Sequence, residues 1–284
     1  MQSELGSVTL PYETRRIDLA DGTHRTVLEL GEGEPFLLIH GLSGTHAHWG
    51  LPFLERLVAA GRRVITVNHV GVAGSSRSRE QFSIVDLADA QAAALDALGI
   101  DGPVDVFGIS MGGMTAQELA LRHPGRVRSL VLGCTTAGAS AATWMAQSDM
   151  AGLVSALQSG DTGQALRASW GINVSRAFAE ERQDRFEEFS EATLANRVTL
   201  RILSEQMQAI GTHDTVDRLG RIAVPTTVAH GTEDLLLPYP NGLKVAEAVP
   251  GATLETFEGA GHLFFWEDPA RAAEVALETA SRAD

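Results

Sequence analysis

The stretch PVDVFGISMGGMTAQELALRHPG, residues 103–125, constrains this chain more than any other. Residues 103–109 read as a strand. Residues 111–123 carry helical spacing and stop at Pro124-Gly125. Only Ser110 is left to make the turn between them. A strand that becomes a helix across one residue forces that residue into a strained backbone region. Side chains two positions to either side would collide, and glycine occupies both places, Gly108 and Gly112. Such a corner holds the serine hydroxyl out at the edge of a sheet. It also aims the amides that follow, starting with Met111, at whatever docks there. A Walker-type phosphate loop is excluded, because no lysine follows the glycines.

The remainder of the chain predicts the sheet this corner needs. Residues 15–30 alternate around Asp21-Gly22, a hairpin signal. PFLLIHG at 35–41 is a short apolar run of the kind buried on both faces. A helix at 51–61, a strand at 62–70, a serine-capped helix at 83–98 and a strand at 127–133 continue the alternation. It breaks between 136 and 220, where no strand is evident and helical segments dominate. It returns with a strand at 226–230, a helix at 240–249, a strand at 252–257 and a helix at 267–282. Alternation of this kind predicts an α/β fold: a mostly parallel, doubly wound sheet with helices on both faces. Residues 1–135 and 221–284 then form the core, and residues 136–220 a helical cap over the carboxyl edge of the sheet.

With 284 residues, the chain fits one such core with an insertion. Its formal net charge of −14 disfavours nucleic acid and anionic membranes as partners. The single cysteine, Cys134, excludes an internal disulfide. No apolar run reaches the roughly 20 residues of a membrane span, and the first residues lack a signal-peptide pattern. A cytoplasmic protein is expected. Oligomeric state leaves no mark in the sequence.

A serine hydroxyl is a weak nucleophile until a histidine takes its proton and an acid orients that histidine. Two late strand ends carry candidates. One is His230-Gly231-Thr232-Glu233-Asp234; the other is Glu258-Gly259-Ala260-Gly261-His262. Together with His40-Gly41-Leu42 after an early strand, the Ser110 corner, GTEDLLLP around Asp234 and GAGH ending at His262, the chain resembles the serine α/β-hydrolases. The resemblance covers nearly the whole chain outside 136–220. Within that superfamily it is most similar to the branch of 3-oxoadipate enol-lactonases, bacterial esterases and cofactor-free haloperoxidases.

The resemblance implies a triad of Ser110, Asp234 and His262, with Asp234 preferred to Glu233 by the pattern G-x-x-D. It implies an oxyanion hole made by the backbone amides of Leu42 and Met111. Leu42, Trp49, Trp144, Leu235 and Leu263 are candidate substrate-binding side chains. No cofactor is implied. The H-x-H pair His46 and His48, with His40 or His69, could hold a metal, but no carboxylate completes the set, so no metal site is expected. One departure stands out. The loop NHVGVAGSS at 68–76 has Asn68 and Val70 where relatives carry an acid and a base, so a local salt bridge is expected to be missing.

A serine at the corner excludes the aspartate chemistry of dehalogenases and epoxide hydrolases of this fold. The expected function is hydrolysis of a small to medium, largely apolar carboxylic ester or lactone through an acyl-enzyme. Carbon–carbon (diketone) hydrolysis and acyl transfer use the same triad. A non-catalytic small-molecule receptor of the same fold is the alternative of another class. The cap shows no extended exposed apolar surface in the sequence, so long-chain interfacial substrates are not expected.

Overall fold

The computed structural model describes residues 12–284. An eight-stranded sheet runs β1 (Thr14–Asp18), β2 (His24–Leu30), β3 (Glu34–Ile39), β4 (Arg62–Val67), β5 (Val104–Ile109), β6 (Val127–Gly133), β7 (Thr226–Gly231) and β8 (Thr253–Phe257) along the chain. Across the sheet the order is β1-β2-β4-β3-β5-β6-β7-β8. Only β2 breaks the parallel pattern, pairing antiparallel with both β1 and β4. The β1–β2 hairpin turns at Gly22, whose φ of +80° suits glycine, with the Asp21 carboxylate holding the Thr23 amide at 2.8 Å.

Alternate residues of each central strand feed two cores. Phe36, Leu38, Phe107 and Val131 face one side, toward α1 (Leu51–Ala59) and α11 (Pro269–Ser281). Leu37, Ile39, Val106 and Leu130 face the other, toward α2 (Ile84–Ala97) and α3 (Met111–Arg122). Burial on both faces explains why these strands read as nearly continuous apolar runs. The first side also carries an aromatic cluster in which Trp49, Phe53, Phe107 and Phe265 meet at centroid distances of 5.0–6.2 Å.

Between β6 and β7 the chain forms five helices: α4 (Gln147–Gln158), α5 (Thr162–Asn173), α6 (Arg176–Glu181), α7 (Gln183–Ala195) and α8 (Leu200–Thr212). Then come α9 (Pro240–Ala248) and the short α10 (Phe264–Glu267), which precedes α11 and was not evident in the sequence. The expected absence of exposed apolar surface on the inserted segment is corrected. Trp144, in the loop before α4, is 45% exposed, and Met150 and Leu157 are 43% and 55% exposed because α4 buries Ala156 alone. Among the described residues no helix is long and apolar enough to cross a membrane.

Candidate active site

Ser110 caps α3 with φ 59° and ψ −122°, a backbone conformation that costs energy for any residue with a side chain. The surroundings over-determine it. The Ser110 amide donates to Gly133 O at 2.9 Å, and its carbonyl accepts from Thr135 Oγ1 at 2.8 Å and from the Met114 amide at 3.1 Å. The flanking glycines are required by contact distances. A β-carbon on Gly108 would sit 2.3 Å from Gly112 O, and one on Gly112 would sit 1.9 Å from Ile39 O. The corner is therefore wedged between β3, β5 and the first turn of α3, and the serine remains part-exposed.

Asp234 and His262 lie on the loops that leave β7 and β8. The His262 ring donates from Nδ1 to Asp234 Oδ2 at 2.8 Å. Asp234 Oδ1 accepts from the amides of Leu236 and Leu237 at 2.9 and 3.0 Å. The carboxylate is buried. Burial alone would push its pKa up, but His262 and His230 outweigh it and hold the group well below the usual carboxylate range. Asp234 thus stays ionised. With Nδ1 directed at Asp234, Nε2 is the ring nitrogen of His262 left without a hydrogen-bond partner in the protein. That is the orientation a general base needs. His230 supports the acid from the second side, with Nε2 2.7 Å from Leu237 O and 3.3 Å from Asp234 Oδ2. Glu233 does not join this network.

The loop after β3 carries Leu42. His40 accepts from the Gly41 amide at Nδ1 (2.8 Å) and donates from Nε2 to His48 O (3.2 Å). Those two bonds curl the loop back so that a β-carbon on Gly41 would lie 2.8 Å from Ser110 Cβ. Leu42 is half-buried against the Met111 cluster. Met111 opens α3, so its N–H has no acceptor within the helix. Asn68 fills the place of the expected acid: its side chain accepts from the His46 amide at 2.9 Å and pairs with His46 Nδ1 at 2.9 Å. Neutral hydrogen bonds thus take over the loop's local cross-link.

His40, His46, His48 and His69 do not converge. His48 turns to Thr45 and Thr193, His46 to Asn68, and His69 to His40 O. Among the described residues, the metal-type donor atoms that do lie together are those of Cys134, Asp234 and His262, within 4.8 Å of one another. Burial, then the Asp234 charge, pushes the Cys134 thiol well up, so it stays protonated and packs beneath the dyad.

The candidate substrate-binding side chains separate. Trp49 is corrected: it is fully buried in the aromatic cluster, because its 3-10 turn (His46–Trp49) docks onto the sheet face. Leu263 is buried in the same core. Trp144 and Leu235 are 45% and 40% exposed. Two groups were missed. Glu267 accepts from the Gly261 amide (2.8 Å), the Ser175 amide (2.8 Å) and Ser175 Oγ (2.5 Å), tying the His262 loop to the α5–α6 junction. Gln206 on α8 accepts from the Ser43 amide at 2.9 Å, beside Leu42. Both are polar residues in helical stretches, a pattern indistinguishable from a solvated face.

A strained serine corner and an Asp–His pair stand, in this order, at the carboxyl ends of strands of a mostly parallel α/β sheet, the edge at which sites of such folds lie. A family model described as "alpha/beta hydrolase fold" matches residues 34–269, and the chain belongs to that family. It is 32% identical over 251 residues to a 2-hydroxy-6-oxononadienedioate/2-hydroxy-6-oxononatrienedioate hydrolase of Pseudomonas putida, covering 84% of this chain and 85% of that one. Among solved structures, an N-acyl homoserine lactone degrading enzyme matches at 26% identity and TM-score 0.76, over 93% of this chain and 99% of the other. An enol-lactonase from Burkholderia xenovorans LB400 shares the fold at 20% identity and TM-score 0.80, over 94% and 100%.

Proposed function

We propose that the protein is a serine hydrolase of carboxylic esters or lactones that works through an acyl-enzyme. The observation that carries this reading is the buried His262–Asp234 pair, 2.8 Å apart, with Nε2 left without a hydrogen-bond partner in the protein. Ser110 Oγ attacks the substrate carbonyl while His262 Nε2 takes its proton. The oxyanion is met by the amides of Leu42 and Met111. The tetrahedral intermediate expels the alcohol, which leaves with the proton from His262. Water, deprotonated by His262, then cleaves the acyl-Ser110 ester. Leu42, Leu235 and Trp144 are the side chains proposed to contact the acyl group. The similarity to a lactone-degrading enzyme at 26% identity supports this bond type.

Carbon–carbon hydrolysis is the second reading, favoured by the Pseudomonas putida relative, whose name records a dianionic substrate. The buried guanidinium of the inserted segment, Arg185, pairs with Glu188 through Nη1 and stacks 4.5 Å over Trp266, while its Nη2 is buried without a partner; a substrate carboxylate reaching that nitrogen would favour this second reading. The test is kcat/KM for p-nitrophenyl esters from acetate to palmitate and for γ-lactones, beside a 2-hydroxy-6-oxohexa-2,4-dienoate. Efficient turnover of short or medium esters or lactones, and little of the dienoate, is expected. The reverse ranking overturns the ester reading.

A further inference from the structure

Helix α8 buries Ile202, Gln206, Ala209 and Ile210, which fall on one helical face. Three are apolar. The fourth is an amide with no exposed surface. Ala209 and Ile210 pack into the cluster that holds Met111, Met114 and Leu42. Ile202 packs on the loop at Gly71, leaving no room there for a β-carbon. Gln206, between them, is applied to the loop that carries the proposed oxyanion donor.

Its orientation is fixed by chemistry. The Ser43 amide can only donate, so the atom 2.9 Å from it must be Oε1, and Nε2 must point elsewhere. That Nε2 is buried and has no acceptor. A buried, unpaired amide donor is costly, and a methionine would fill the same space without the cost. Ser43 is one residue beyond Leu42, a step of about 3.8 Å along the chain, and its φ of 57° marks a backbone bent to face α8. An idle, enclosed donor therefore sits on the side chain that holds the residue next to Leu42, whose amide is the proposed oxyanion donor.

We propose that Gln206 is a specificity-determining residue. Its Nε2 donates to an acceptor oxygen that the substrate's acyl part carries near the scissile carbonyl, such as an ether, hydroxyl or second carbonyl oxygen. This rests on the ester or lactone reading and deepens it: the preferred acyl group is compact and apolar apart from that one acceptor.

The test compares p-nitrophenyl methoxyacetate with p-nitrophenyl butyrate, nearly isosteric acyl groups in which an oxygen replaces one methylene. The methoxyacetate-to-butyrate ratio of kcat/KM is measured for the wild type, Gln206→Met and Gln206→Glu. Comparing ratios between proteins cancels the intrinsic reactivities of the two esters. Gln206→Glu keeps an oxygen for the Ser43 amide but loses the donor, so it separates recognition from support of the loop. The ratio is expected to fall about three- to tenfold in both variants. A ratio within twofold of wild type in both overturns the proposal and leaves Gln206 as a support for Ser43. Rescue of both esters alike by Gln206→Glu does the same. A binding arm makes the result independent of turnover: the ratio of Kd values for the two esters is measured by calorimetry on Ser110→Ala, with and without Gln206→Met. If the wild type cleaves neither ester, the ester reading falls, and this arm alone decides the role of Gln206 by the same twofold limit.

Discussion

Acid should unfold this protein earlier than its carboxylates would, because its buried histidines must stay neutral. Burial holds His48, His69 and His213 at about 4, down from an ordinary 6.5, and holds His40 well below 6.5. His48 and His69 are buried beside the loop that follows β3, and His213 at the exit of α8. A depressed histidine pKa contributes stability that is fully present above 6.5 and is lost as pH falls toward 4. In that window the unfolded chain binds protons that the native state refuses. Between pH 7.5 and 5.5 each of the three numbered groups costs slightly over 1 kcal/mol, about 4 kcal/mol together. His40 adds to this. Two effects oppose it. Burial raises the Glu267 pKa, so that group favours the native state as pH falls, and the net charge of −14 shrinks as acid is added.

The assay is urea unfolding followed by tryptophan fluorescence at pH 7.5, 6.5 and 5.5, extrapolated to water, with the slope m checked for constancy. A loss of about 4 kcal/mol is a large share of a typical 5–15 kcal/mol total. His213→Gln should shrink the loss by about 1 kcal/mol. A loss below about 1 kcal/mol in the wild type would refute the reasoning, since the native state would then be taking up protons on these rings freely.

Other expectations follow from the site. Ser110→Ala should lower kcat by roughly 10⁴–10⁶ with an unchanged far-ultraviolet spectrum; retention of a tenth of the activity removes Ser110 as nucleophile. Asp234→Asn should cost up to about 10⁴ in kcat, and a silent Asp234→Asn beside a crippling Glu233→Gln would move the acid to Glu233. Gly112→Ala places a β-carbon 1.9 Å from Ile39 O, so α3 must withdraw from β3. Overpacking of about 3 kcal/mol should lower Tm by about 6 °C or more, read by scanning calorimetry; an unshifted Tm would show that the wedge at the corner is loose.

What the sequence made legible was what acts locally. Strands β3, β5, β6 and β7 announce themselves because both faces are buried. The Ser110 corner does so because two short-range collisions demand glycine. Asp234 and His262 were placed at neighbouring strand ends by the pattern of residues around them, and the fold brings them to 2.8 Å. What was not legible acts across long chain separations. The contact of Gln206 with Ser43 spans 163 residues, and that of His48 with Thr193 spans 145. A polar side chain in a helix carries no sign of whether it faces water or another loop. Trp49 failed for a related reason: residue type marks an aromatic as buried, not as core rather than cavity wall, and here Phe53, Phe107 and Phe265 claim it.

The inserted helices are not a lid resting on a finished site. They bind the loop and turn that follow β3 and the loop that follows β8. Gln206 of α8 accepts from the Ser43 amide, next to Leu42 in the loop after β3. On α7, Thr193 pairs with His48 Nε2 at 3.1 Å and Glu188 with the Leu51 amide at 3.2 Å, fixing the turn that follows that loop. At the α5–α6 junction, Asn173 O accepts the Leu263 amide at 2.7 Å, and Ser175 shares Glu267 with Gly261, so His262 sits between two residues bound to the insertion or its partner. Each bond contributes about 1 kcal/mol net. Their number matters more than their strength, because swinging the insertion away as a body would break all of them together. The sheet therefore places Ser110, Asp234 and His262, while the insertion fixes part of the geometry of the loops around them. These bonds join residues more than a hundred positions apart, so a change in the insertion can shift the loops after β3 and β8 without any change in the sheet.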